Sequence, residues 1–79
     1  MTRIGFKEAI EYLNDGYAIR LNTLDYTYRI VIDNDEGVAD TTIGYLTLNT
    51  FLKLLNNNKV KLSRRPFGYE YYTLNQLMS

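Results

Sequence analysis

The feature that most constrains the fold of this chain is a change of apolar period. Phe6, Ala9, Ile10 and Leu13 fall at i, i+3, i+4 and i+7, which places them in one stripe along a helix. The period then becomes two: Tyr17, Ile19 and Leu21 share one side, Ala18, Arg20 and Asn22 the other. After a short turn at "NTLD", Tyr26, Tyr28, Ile30 and Ile32 alternate with Thr27, Arg29 and Val31. A helix followed by an antiparallel hairpin is therefore expected over the first 32 residues.

Local signals set the ends of these segments. Gly5 suits the helix N-cap, with Glu8 at N3 where a carboxylate favours the positive helix end, and Ile4 with Ala9 can staple the entry. "NDG" closes the helix because Gly16 reaches the left-handed region without steric cost. "DNDEG" makes the next turn and "VADTTIGYL" reads as a third strand. A second stripe, Leu48, Phe51, Leu52 and Leu55, predicts another helix, capped by Thr47 and stopped by the asparagines at 56–58. "KVKLS" then reads as a strand with Val60 and Leu62 inward. "RRPFG" is a turn in which Pro66 forces Arg65 extended, and "YEYYT" is a last strand. The expected fold class is α+β: an antiparallel β-sheet with two helices on one face, in the order α-β-β-β-α-β-β, with residues 1–79 as a single domain.

Residue usage narrows the chemistry. The 79 residues include no cysteine and no histidine, so the usual zinc ligands, a thiol nucleophile and the commonest general base are all missing. No Gly-rich phosphate loop or nucleophile motif is present, and no cofactor is expected. No apolar run approaches the length of a membrane span. The stretch "MTRIGFKEAIEY" turns acidic where a secretory leader would turn hydrophobic, which points to a cytoplasmic protein.

Net charge is zero but segregated: residues 30–52 carry four acids and no base, and residues 53–65 carry Lys53, Lys59, Lys61, Arg64 and Arg65 and no acid. The acids are Asp33, Asp35, Glu36 and Asp40, within "VIDNDEGVADTTIGY". An EF-hand register fails there, since counting from Asp33 puts glycine at position 5 and Gly44 at position 12. Catalytic carboxylates need burial or a like-charged neighbour, which a hairpin tip seldom provides. Asp40 is placed to pair with Arg29 across the strands, a surface contact worth about 0–1 kcal/mol. The remaining reading of the acidic turn is electrostatic docking on a basic surface, with exposed tyrosines supplying contact area. Tyr17, Tyr26 and Tyr28 are expected to pack in the core. Tyr69, Tyr71 and Tyr72 divide between packing and contact, because alternation sends Tyr71 and Tyr72 to opposite faces.

The basic stretch supports a rival reading. Lys59, Lys61, Arg64 and Arg65, followed by aromatics such as Tyr71, combine phosphate contacts with stacking as a single-strand nucleic-acid binder would. Against it, such surfaces usually come with a positive excess, and Lys59 and Lys61 equally suit the wet side of an edge strand.

A first helix, then "GYAIRL", "YRIVIDNDEG" and a second helix "LNTFLKLLNNN" give a layout that resembles the small phage-encoded type II-A anti-CRISPR inhibitors over residues 6 to 58. The resemblance implies an inhibitor, acting in the cytoplasm of a bacterial host, that binds a defence protein such as a type II CRISPR nuclease by imitating DNA. Asp33, Asp35, Glu36 and Asp40 would be the imitating acids, beside Tyr69 and Tyr72 as partner contacts. Unlike the strongly acidic members of that group, this chain is neutral and carries a basic hairpin at 59–73. The broader expectation is a phage or mobile-element anti-defence protein that binds a bacterial protein and catalyses nothing. The alternative is a small nucleic-acid-binding module built on the C-terminal hairpin.

Overall fold

The computed structural model describes residues 1–32, 41–66 and 68–75. Eight elements follow one another along the chain: β1 (Thr2–Arg3), α1 (Phe6–Asn14), β2 (Ala18–Asn22), β3 (Thr27–Ile32), β4 (Thr41–Leu46), α2 (Leu48–Asn56), β5 (Val60–Arg64) and β6 (Tyr69–Leu74). The expected α+β layout is present, preceded by a two-residue strand too short to leave a period in the sequence. The third strand begins at Thr41, and residues 38–40 lie outside the described residues.

The strands form one sheet in the order β1-β4-β3-β2-β6-β5. Every neighbouring pair is antiparallel except β1 and β4, which run parallel. Gly44 makes that parallel pairing possible. A Cβ there would lie 2.6 Å from Ile4 Cδ1 and 2.6 Å from the Thr2 carbonyl oxygen, so any larger residue would push β1 off the sheet.

The helix ends obey their local signals. The Glu8 carboxylate accepts from the Gly5 N–H at 3.4 Å, and Ile4 and Ala9 are both buried in the core beside it. Thr47 Oγ1 accepts from the Thr50 N–H at 3.3 Å at the start of α2. Gly16 (φ 95°) and Asn58 (φ 57°) take the left-handed conformation just beyond the two helices.

Both helices pack on the same side of the sheet. The core there joins Ala9 and Leu13 of α1 and Phe51 and Leu54 of α2 to Ile19, Leu21, Tyr28, Ile30, Leu46 and Val60 of the strands. The Tyr28 and Phe51 rings stack at 4.6 Å between centroids, and Tyr72 meets Phe51 edge-on at 5.0 Å.

Several packing expectations are corrected. On α2 the buried positions are Phe51 and Leu54, while Leu48, Leu52 and Leu55 of the expected stripe are 53%, 40% and 36% exposed. Leucines occupy several faces of this helix, so periodicity alone could not select the inner one. Tyr26 is not a core strand residue. It is 70% exposed and sits at φ 55° in the β2–β3 turn. That turn is pinned by its own side chains: Asn22 Oδ1 accepts from the Leu24 N–H at 2.9 Å, and Asp25 Oδ1 accepts from the Thr27 N–H at 3.2 Å and hydroxyl at 2.8 Å. Ile32 and Leu62, also expected inward, are 46% and 38% exposed.

The α2 rotation has a direct test. Leu54→Ala removes a fully buried side chain and is expected to lower unfolding free energy by about 2–5 kcal/mol. Leu55→Ala, at the rim, should cost about 1 kcal/mol or less. Urea unfolding of the two variants measures the difference, and equal losses would contradict this orientation of α2.

Candidate functional site

The sheet is two-faced, and its helix-free side gathers the arginines. Pairing places Arg3 opposite Tyr45, Tyr45 opposite Arg29, Arg29 opposite Arg20, Arg20 opposite Tyr71 and Tyr71 opposite Arg64. One row of arginine and tyrosine therefore crosses all six strands. Strands lie about 4.8 Å apart, so the row is roughly 24 Å long. Lys61, opposite Thr73, and Tyr69, opposite Asn22, belong to the same face in flanking rows. Among the described strand residues of this face there is no carboxylate; Glu70 points to the helix side, opposite Leu21.

The aromatic rings organise the cations. The Arg64 guanidinium lies 4.2 Å from the centre of the Tyr71 ring, and the Arg20 guanidinium 5.2 Å from that of Tyr69. Tyr71 is buried against Ala18 and Val31, a second small apolar cluster on this side of the sheet. Tyr45 and Tyr69 keep 38% and 36% of their surface exposed. Arg20 and Arg29 carry like charges at directly opposed positions, an arrangement that costs stability unless negative charge lies nearby.

The residues singled out in the sequence separate into distinct environments. Asp33, Asp35, Glu36 and Asp40 lie outside the described residues. Tyr69 is on the cationic face, but Tyr72 is on the other, its ring against Phe51 and its hydroxyl donating to Glu70 Oε1 at 2.9 Å. Tyr72 is thus a half-covered packing residue and a poor contact residue. Of the basic hairpin, Arg64 and Lys61 join the cationic face. Arg65 turns away to Glu70 at 3.6 Å, and Lys59 is exposed at the α2–β5 connection. Tyr71, expected either to pack or to stack on a ligand, is almost fully buried beneath Arg64. Sequence reasoning passed over Arg3, Arg20, Arg29 and Tyr45. Their outward positions follow from alternation, but only the register reveals that they form one row.

Among the described residues no group of three or more Asp, Glu, His or Cys is placed to hold a metal, and no helix is long and apolar enough to cross a membrane. Comparison with protein-family models, curated proteins and solved structures finds no match to this chain.

The environment of Tyr72 makes it a marker for this corner of the sheet. Burial, then the hydrogen bond to Glu70 and its negative charge, push the phenol up to about 12 from 10, against an opposing influence of Arg65. A phenol whose folded value is raised contributes stability that is fully present below pH 10 and is lost as the pH rises through about 12. Spectrophotometric titration at 295 nm should show a late component, rising toward about pH 12, that loses the amplitude of one phenol in Tyr72→Phe. A Tyr72→Phe variant that keeps the full late amplitude would show that the Tyr72 phenol is not raised.

Proposed function

We propose that this chain is a non-catalytic binding protein whose contact surface is the helix-free face of its sheet, and that the surface takes single-stranded nucleic acid. The observation that carries the reading is the register that places Arg3, Tyr45, Arg29, Arg20, Tyr71 and Arg64 in one row. Cations that track a phosphate backbone beside exposed rings that accept bases, here Tyr45 in the row and Tyr69 flanking it, are what sequence-tolerant single-strand binding requires. A row of roughly 24 Å offers several phosphates a partner at once. The site is broader than the C-terminal hairpin: it draws Arg64 and Lys61 from β5 but its centre from β2, β3 and β4. Neither Arg65 nor Lys59 belongs to it.

A second reading is an inhibitor that binds a bacterial defence protein, such as a CRISPR nuclease. Arginine and tyrosine are also the residue types that anchor protein interfaces, and the exposed Tyr45 and Tyr69 favour it. In that reading Asp33, Asp35, Glu36 and Asp40 steer the encounter, and Tyr69 rather than Tyr72 supplies contact area. Asp35→Lys with Glu36→Lys should then abolish inhibition of target cleavage.

Fluorescence anisotropy with a labelled single-stranded oligonucleotide tests the leading reading. Binding should weaken with salt, and replacing Arg3 and Arg29 by glutamine should flatten the log–log salt slope by about 0.7 per phosphate contact removed. No complex at about 50 mM salt, with the protein folded, would overturn it.

A further inference from the structure

Beside Arg29 and Tyr45 of the cationic row lies a cleft of about 330 Å³ between the β2–β3 turn, β4 and the start of α2. Tyr26, Arg29, Tyr45, Leu46 and Leu48 line it, with Met1 at its edge. Its size falls in the small-molecule range, and its lining combines apolar side chains with one cation, the pattern of a site that orients a ligand by a single charge.

Three observations select the ligand. Tyr26 holds φ 55°, a region that favours Asn or Gly, and its ring is 70% exposed. The residue therefore carries backbone strain without gaining core burial in return. The strain is held in place by the pinned turn, including a 2.7 Å hydrogen bond from the Tyr26 N–H to the Asn22 carbonyl. Tyr45, 38% exposed, offers a second ring on β4. Arg29 is half-buried and lines the same cleft, with Arg20 directly opposite it across the strand pair and no carboxylate among the described cleft-lining residues. A planar, aromatic, singly or doubly negative molecule satisfies all three: rings for its face, apolar floor for its edge, guanidinium for its anion.

We propose that this cleft binds one nucleotide, its base against Tyr26 and Tyr45 and its phosphate on Arg29. The site rests on the nucleic-acid reading and sharpens it: the cleft holds one unit of a strand whose neighbouring phosphates follow the arginine row.

Amide chemical-shift titration with adenosine 5′-monophosphate and with adenosine tests the cleft by itself. The monophosphate is expected to move the amides of Tyr26, Arg29 and Tyr45. Arg29→Gln should weaken the monophosphate but leave adenosine unaffected. Tyr26→Asn suits the left-handed backbone and so keeps the fold; it should weaken both ligands by about tenfold, whereas Tyr26→Phe should retain them. Unmoved cleft amides, or Tyr26→Asn binding as wild type does, would overturn the proposal. The outcomes separate the two readings: oligonucleotide binding without monophosphate in the cleft removes the cleft and keeps the face. Monophosphate in the cleft without oligonucleotide binding keeps the cleft and removes the face.

Discussion

Everything about this molecule depends on both helices choosing the same face of the sheet. Ala9, Leu13, Phe51 and Leu54 need an apolar surface, and the alternating Ile19, Leu21, Tyr28 and Ile30 provide one. Once that side is closed, the partners of these residues in the pleat, Arg20, Asn22, Thr27 and Arg29, are committed to the opposite side. A one-residue slip between β2 and β3 would exchange core and arginines, so the same packing energy that fixes the core also fixes the cationic row.

Arg20 and Arg29 sit at directly opposed positions in that row. Rings accompany the cations at two places, where Arg64 lies over Tyr71 and Arg20 over Tyr69. On the helix side Arg65 meets the half-buried Glu70 at 3.6 Å.

Much of the architecture was legible from periodicity and caps. Gly5, Gly16, Thr47 and Asn58 each mark a helix end by a local rule that tertiary contacts do not override. The inner face of α2 was not legible, since Leu48, Leu52, Leu54 and Leu55 are equally apolar and the choice is made by the shape of the sheet beneath. Strand β1 was hidden because two residues carry no period, and its docking relies on the absence of a side chain at Gly44, far along the chain. The candidate site was half visible: Arg64, Lys61 and Tyr71 stand close together in sequence, whereas Arg3, Arg20, Arg29 and Tyr45 join them only through pairings between strands distant in the chain. The Tyr26 turn was misread as strand because its alternation with Tyr28 continues by accident into residues whose hydrogen bonds belong to an Asx-type turn.

Charge neutrality argued in the sequence against a polyanionic partner, but the charges of the described residues are unevenly placed. Glu8, Glu11 and Asp15 line a shallow depression on α1, on the side of the sheet away from Arg3, Arg20, Arg29 and Arg64. Opposite charges separated by the thickness of a sheet and a helix layer, about 10 Å or more, are screened from one another at physiological salt, where the Debye length is about 8 Å. The described residues thus place a cluster of arginines on one side of the sheet and Glu8, Glu11 and Asp15 on the other, although the whole chain sums to zero. Net charge governs solubility and long-range behaviour, and the arrangement of charge governs recognition. Among the described residues, the arginines share their face with Tyr45 and Tyr69, which remain exposed.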